Sequence, residues 1–165
     1  MTRTHMEALI RKHEGCEYIS YNDTEGKRTI AIGFNLDKEG ARTRIEALGL
    51  NYDSVYEGTH VLTYEHCNAL LKVDLDDAID NARVLVSNFD EQPEDVQSVI
   101  VDMIYNLGPS GFSKFVKTIA ALVAKDYCTA VAEMSVSKWA RQVPNRAKDD
   151  IDIVEAHCQP RKAWI

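Results

Sequence analysis

Three side chains able to do acid–base chemistry lie close together near the start of the sequence. Glu14 stands where a short helix should end, Asp23 lies in a polar turn, and Thr29 lies on the strand that follows. Two carboxyl groups in different surroundings can act as the acid and the base of a hydrolysis, as in cleavage of a glycosidic bond. The three residues are therefore one possible set for hydrolysis of a sugar polymer, in which Thr29 could hold a water that Asp23 activates.

The two carboxyl groups would take different roles because their surroundings differ. Glu14, among apolar neighbours at a helix end, could stay protonated, whereas Asp23 in a polar turn should stay ionised. The alternative is ordinary structure, since the chain has 26 acidic residues and aspartates in turns are usually turn formers. The residue types alone leave both interpretations open.

A helix and a β-hairpin are the elements that must position these side chains. Apolar residues at helical spacing predict a helix over residues 4–13, which Gly15 ends. Aromatic and β-branched residues predict a strand over 18–21 and a returning strand over 28–33, joined by a turn at 22–26.

The returning strand alternates large and small side chains. Ile30 and Ile32 lie on one face, and Thr29, Ala31 and Gly33 lie on the other. The face of small side chains would let a bulky ligand approach the backbone, as on the floor of a cleft. An ordinary half-buried strand is the alternative.

Helices are predicted for the remainder of the sequence. Strands are confined to the first third, so the fold class is α+β and predominantly helical. We expect one domain over 1–165, made of a β-containing lobe at 14–62, a connecting helix at 63–86 capped by Thr63, and a helical lobe at 87–165 on which the helix at 4–13 packs. The other predicted helices lie at 41–48, from Pro93 to Gly108-Pro109, and near 112–125, 127–135, 137–142 and 144–157.

The net charge of −7 limits the partners of the chain. It argues against nucleic-acid binding, which needs a basic surface, and it disfavours attraction to anionic membranes. No run of apolar residues is long enough to span a membrane, and no signal peptide is evident at the N-terminus. We therefore expect a chain that is cytoplasmic as made, or exported by another route, without nucleic-acid or membrane partners. We expect a monomer because no large apolar stripe is left without a partner.

No metal or cofactor is expected from the sequence. The aspartates between 74 and 80 have the spacing of a calcium loop, but Ile79 and Leu85 occupy the positions where such a loop needs glycine and glutamate. The four cysteines contain no C-x-x-C pair. We expect four free, mostly buried thiols in a reducing compartment, although the spacing leaves disulfide pairing open.

Three separated groups of residues share one resemblance. They are Glu14-Gly15 with Tyr21-x-Asp23-Thr24-x-Gly26 and Thr29-Ile30-x-Ile32-Gly33, then Met103 to Gly108, then Ser137-Lys138-Trp139 with Pro144-Asn145-Arg146-Ala147-Lys148. In type, order and spacing they resemble the T-even phage lysozyme family over nearly the whole chain. The resemblance implies a lysozyme-like fold.

The resemblance also implies a muramidase that acts on the host cell wall at lysis. Such an enzyme cuts the β-1,4 bond between N-acetylmuramic acid and N-acetylglucosamine in peptidoglycan, with inversion. Glu14 would be the general acid, and Asp23 and Thr29 would position and activate the water, across a carboxyl gap of ~6.5–9.5 Å. The substrate-binding residues that the resemblance implies are Glu25, Gly33, Tyr105, Asn106 and Arg146, the last of which matches an arginine that pairs with the acid.

Two other functions stay open at this stage. A lytic transglycosylase would use the same acid but form an anhydro sugar without an activated water, and a wall-binding module would keep the fold without the activity. The presence of Glu14, Asp23 and Thr29 favours hydrolysis over both. The acidic net charge departs from the basic character typical of the family, which leaves open how the enzyme is concentrated on its substrate.

Overall fold

A computed structural model describes residues 2–159 and confirms an α+β, predominantly helical fold. The chain divides into two compact units. Ile10–Asp77 form the first unit, and the residues up to Leu9 together with those from Ala78 onward form the second. Within the described residues, no helix has a stretch long and apolar enough to cross a bilayer. The division of a single domain into three sub-lobes stays a prediction.

The first unit contains a three-stranded antiparallel sheet with the strand order β1-β2-β3. Its elements, in chain order, are the end of α1 (Thr2–Glu14), β1 (Glu17–Asn22), β2 (Arg28–Ala31), β3 (Phe34–Asn35), α2 (Ala41–Ala47), α3 (Tyr52–Glu57) and the start of α4 (Tyr64–Leu85). Tyr21 of β1 lies opposite Thr29 of β2, and Ile30 lies opposite Phe34 of β3. The predicted first helix, hairpin and connecting helix are confirmed, with ends shifted by about two residues or fewer.

The signals expected to end α1 and to start α4 act as predicted. Gly15 has φ +66°, and its N–H donates to the carbonyl of Arg11 at 3.0 Å, which closes the last turn of α1. At the start of α4, Thr63 Oγ1 accepts from the N–H of His66 at 3.2 Å, and His66 Nδ1 accepts from the N–H of Thr63. The reciprocal pair satisfies two backbone donors that the helix would otherwise leave open.

The returning strand is shorter than predicted, and the expected alternation along it is wrong. Strand β2 ends at Ala31, whose φ of +57° turns the chain through Ile32 and Gly33 into β3. Ile30, Ala31 and Ile32 are all buried, at 1% exposure or less. A left-handed residue breaks the two-residue period on which the prediction rested.

Helix α3 lies where the sequence analysis predicts no helix. Its first turn is capped by Asn51, whose side chain accepts from the N–H of Ser54 at 2.9 Å, and it ends at Gly58 with φ +81°. Six residues are too few for helical periodicity to be recognised, so only the two capping residues could have indicated it. The core of the unit joins the sheet to these helices through Ile30, Ala31, Phe34, Leu36, Ala41, Ile45, Val55, Leu62, Cys67 and Leu70.

The second unit is helical throughout its described part. A 3₁₀ turn at Phe89–Glu91 precedes α5 (Glu94–Ser113), α6 (Val116–Val123), α7 (Tyr127–Ser135), α8 (Lys138–Gln142) and α9 (Pro144–Glu155). Helix α5 changes direction at Gly108, where φ is +72° and ψ is 163°, immediately before Pro109. The predicted break at Gly108-Pro109 and the helices that follow it are therefore confirmed.

A disulfide joins Cys128 of α7 to Cys158, which follows α9, with the Cα atoms 4.7 Å apart. The expectation of four free thiols is wrong for this pair. The two cysteines are 30 residues apart in sequence, and only the packing of α7 against α9 brings them together. Cys16 and Cys67 carry thiols.

Two buried aspartates lie beside one buried arginine in the second unit. Arg146 donates from Nε and Nη2 to the carboxylate oxygens of Asp102 at 2.9 and 2.8 Å, and Asp102 has no exposed surface. Asp150 is equally buried, and as an ionised carboxylate neither of its oxygens has a hydrogen-bond partner within residues 2–159. Burial and the charge of Asp102 raise the pKa of Asp150 to about 10, so it keeps a proton that it can donate to Asp102.

Replacing Asp150 should therefore change how stability depends on pH. The ordinary pKa is 3.8, so unfolding releases a proton between that value and about pH 10. The free energy of unfolding consequently falls as pH rises, by up to about 1.4 kcal/mol per pH unit from this group. Asp150→Asn should remove that slope and raise the melting temperature at pH 8 by about 5 °C or more, as measured by thermal unfolding between about pH 5 and pH 8.

The matched control is Asp152→Asn, two residues further along α9, where the aspartate is exposed. This variant should keep the pH slope of the unchanged chain, because the exposed ion pair of Asp152 with Lys148 contributes little to stability. A slope in Asp150→Asn as steep as that of the unchanged chain would mean that Asp150 is already ionised in the fold.

Candidate active site

Glu14 is the last residue of α1, and its carboxyl group lies against the backbone of the turn between β2 and β3. A Cβ atom placed on Gly33 would lie 2.7 Å from Glu14 Oε2 and 2.8 Å from Cδ, closer than real Cβ atoms approach. Gly33 also has φ +68°, a conformation that glycine adopts most readily. This position therefore needs glycine for two reasons, and one of them is to make room for the half-buried Glu14.

Asp23 organises the turn between β1 and β2. Its Oδ1 accepts from the backbone N–H groups of Glu25 at 2.9 Å and Lys27 at 2.8 Å, and its carbonyl accepts from Gly26 at 3.0 Å. Asp23 therefore does form the turn, as the alternative interpretation of the sequence proposed. Within the described residues Oδ2 accepts no hydrogen bond, so one oxygen of this carboxylate builds the turn and the other is available to a water or a ligand.

Thr29 lies on β2 beside this turn and is 5% exposed. Its hydroxyl donates to the carbonyl of Lys27 at 3.1 Å. Because a hydroxyl has one proton to donate, Thr29 would accept a hydrogen bond from a nearby water instead of donating one. That Thr29 holds such a water stays a prediction.

Tyr21 lies within electrostatic reach of both predicted catalytic carboxylates. Burial raises the pKa of its hydroxyl most, and the negative charges of Glu14, Glu17 and Asp23 raise it further. Tyr21 faces Thr29 across the β1–β2 pair. The sequence predicted no role for this tyrosine, and the one available signal was its place in the motif two residues before Asp23.

Glu25 is exposed in the same turn, with Oε2 3.5 Å from Nζ of Lys27. This exposed pair leaves both side chains accessible to solvent, and a contact between Glu25 and substrate stays a prediction.

The remaining predicted residues lie in the second unit. Tyr105 and Asn106 are half-buried on α5, and Asn106 Oδ1 accepts from Trp139 Nε1 at 3.0 Å. Arg146, on α9, is held by Asp102 as described above. The structure thus gathers Glu14, Asp23, Thr29 and Gly33 in the first unit, and it places Tyr105, Asn106 and Arg146 in the second.

A sequence profile of the phage lysozyme family matches residues 11–149, which include all three groups of motif residues. The chain belongs to the phage lysozyme family. At the level of this family it is a muramidase-type peptidoglycan hydrolase, and peptidoglycan is the substrate that the family implies.

Two relatives from Dictyostelium discoideum are similar to this family member along most of their length. Probable T4-type lysozyme 2 is 25% identical over 158 residues, which cover 91% of this chain and 93% of that protein. Probable T4-type lysozyme 1 is 24% identical over 155 residues, which cover 89% and 91%. The family resemblance drawn from the sequence motifs is confirmed.

Substituting Gly33, with a control at another glycine, should separate the effect of displacing Glu14 from the effect of backbone strain. In Gly33→Ala the new methyl group would push the Glu14 carboxyl away, and hydrolysis of peptidoglycan should fall about 100-fold, as a displacement near 1 Å can cause. The measurement is the initial rate of dye release from labelled peptidoglycan, with a melting curve for each protein.

Gly49→Ala is the matched control, because Gly49 has φ +78° and, apart from its chain neighbours, no atom of the described residues lies within 4 Å of the added Cβ. Both variants should lose roughly 1–2 kcal/mol of stability through the left-handed residue. Only Gly33→Ala should lose activity, and equal activity in the two variants would show that the Glu14 carboxyl does not need its position against Gly33.

Proposed function

We propose that this chain is a muramidase that hydrolyses the β-1,4 bond between N-acetylmuramic acid and N-acetylglucosamine, with inversion, and so lyses bacteria as an endolysin. Glu14 is the general acid, and Asp23 activates the attacking water with help from Thr29. The observation that carries the proposal is that the two carboxylate oxygens of Asp23 differ in their hydrogen bonds. Oδ1 is held by two backbone N–H groups, while Oδ2 accepts no hydrogen bond within the described residues.

A carboxylate held in this way suits the role of a general base. The bonds to Oδ1 keep the group in one orientation before substrate arrives, and preorganisation of this kind lowers the barrier to reaction. Oδ2 can then accept the proton of a water that attacks the sugar. Inversion requires that this water fit between the two carboxyl groups, at a separation of ~6.5–9.5 Å.

Glu14 suits the role of the acid. Its carboxyl group is half-buried and lies against the Gly33 backbone. The close packing fixes where a proton would be delivered, which is what protonation of a leaving oxygen requires. The negative charges of Glu14 and Asp23 both raise the pKa of Tyr21, which supports a shared site for the two carboxyl groups in the first unit.

Residues of the second unit complete the proposal as substrate-binding groups. Tyr105 would offer a face for packing against a sugar ring, Asn106 would contribute its amide, and Arg146 would contribute its guanidinium group. Asn106 already accepts from Trp139, and Arg146 already binds Asp102, so both side chains are held in place before substrate binds. Glu25, exposed in the β1–β2 turn, would contact the glycan from the first unit.

The test is digestion of purified Gram-negative peptidoglycan, followed by borohydride reduction and mass analysis of the products. Hydrolysis should yield reduced muramic acid at the new ends, the initial product should be the α-anomer by NMR, and Glu14→Gln should lose at least about 100-fold in rate. Reduced glucosamine would identify a different bond. Anhydro products, lighter by one water, would identify a lytic transglycosylase, and binding without cleavage would identify a wall-binding module.

A second variant tests the role of Asp23. Asp23→Asn keeps an oxygen that can accept from Glu25 and Lys27, so the turn and the melting temperature should be nearly unchanged. The amide is a poor base, and we expect the rate of hydrolysis to fall about 10²–10⁴-fold. Asp23→Ala should lose both the activity and part of the stability. Wild-type activity in Asp23→Asn would restrict this residue to its turn-forming role.

A further inference from the structure

Two cysteines of the first unit lie side by side in its core. Cys16 follows α1 directly after Gly15, and Cys67 lies in the first turn of α4. Cys67 is fully buried in the core cluster, and Cys16 packs against the same cluster while it stays partly exposed. Cys16 lies close enough to Cys67 to raise the pKa of the Cys67 thiol. This arrangement places two thiols in contact although they are distant in sequence.

The two sulfur atoms differ in their surroundings. Cys16 is partly exposed and lies near Tyr18, a tyrosine that is 40% exposed. Burial and Cys16 raise the pKa of the Cys67 thiol to about 12, so this thiol remains protonated in the folded chain. Cys16 is thus the sulfur that an oxidant would meet first, and Cys67 is the inner partner.

The second unit shows that oxidation of this chain is compatible with its fold, because it carries the Cys128–Cys158 disulfide. Structural disulfides persist in oxidising compartments. In a compartment that maintains this disulfide, Cys16 and Cys67 meet the same oxidant while they are already in contact.

We propose that Cys16 and Cys67 form a second disulfide in the oxidised protein, so that each unit carries one covalent link. The oxidant is a small-molecule disulfide such as oxidised glutathione. The Cys16 thiolate attacks one of its sulfur atoms and releases one glutathione thiolate. Cys67 then loses its proton, attacks the Cys16 sulfur and releases the second. The two protein thiols give up two electrons and two protons, and the oxidant becomes two molecules of reduced glutathione.

The link closes a loop of about 50 residues, which contains the whole sheet with Asp23 and Thr29. It ties the chain two residues beyond Glu14 to the first turn of α4. The main expected effect is on stability, because cross-linking a long loop restricts the unfolded chain. This inference goes beyond the proposed function and does not depend on it, since the bond forms whether or not the chain cleaves peptidoglycan.

The experiment begins with the full chain, reduced and unfolded, so that the reactivity of the buried Cys67 does not limit the reaction. The chain is refolded in a mixture of oxidised and reduced glutathione, quenched with acid, denatured and treated with iodoacetamide. Intact mass should show no alkylated cysteine, and peptide mapping should find Cys16 linked to Cys67. Alkylation of both Cys16 and Cys67 in a chain that has formed Cys128–Cys158 would overturn the proposal, as would a link from either to Cys128 or Cys158.

A variant with Cys128→Ser and Cys158→Ser isolates the proposed bond. Its melting temperature should be about 5–15 °C higher after refolding with oxidised glutathione than in the presence of a reductant. Adding Cys16→Ser, at the partly exposed position, should abolish this difference. A difference that survives Cys16→Ser contradicts the assignment, and if the double variant does not fold, peptide mapping of the unchanged chain decides.

Discussion

The contact between the Glu14 carboxyl group and the Gly33 backbone is the constraint on which the first unit depends. Glu14 can take this position only if α1 stops immediately after it, which the left-handed Gly15 achieves. The chain must also turn between β2 and β3 without a side chain beneath the carboxyl group. Ala31 and Gly33, both with positive φ, make that turn. Three residues with positive φ therefore lie next to this acid or in the turn that it contacts, a concentration of unusual geometry that is common at functional sites.

Asp23 shows how one residue can serve the fold and the proposed chemistry together. A structural aspartate and a catalytic aspartate are competing interpretations when only the residue type is known. In the structure the two roles are compatible, since the bonds to Glu25 and Lys27 both end on Oδ1. The turn is then part of what prepares the carboxylate, because it holds the group in one orientation at no further loss of side-chain freedom.

The second unit is stabilised by different means. The Cys128–Cys158 disulfide links α7 to the residues after α9, and Arg146 joins α9 to α5 through Asp102. The cluster also contains a second buried aspartate, Asp150. Arg146 can neutralise only one of the two carboxyl groups. Asp150 therefore keeps its proton in the folded structure, and this acidic chain has carboxyl groups in its interior as well as on its surface.

Local signals in the sequence predicted much of the fold and part of the site. These signals are properties of neighbouring residues, and the structure agrees with each. They are helical periodicity, the glycine after Glu14, the cap at Thr63 and the break at Gly108-Pro109. The elements that failed were short or irregular. Helix α3 has too few residues to show a period, and the left-handed Ala31 ended β2 where the alternation of side chains suggested that it continued.

By itself, therefore, the sequence determined the fold class, the family and the three residues that could do the chemistry, because motif spacing and periodicity are written along the chain. Tertiary structure alone decided which atoms meet. The packing of Glu14 on Gly33, the Cys128–Cys158 bond and the place of Asp150 beside Asp102 all join residues that are separated in sequence. Such contacts depend on the burial and geometry created when elements pack, and no local pattern encodes them.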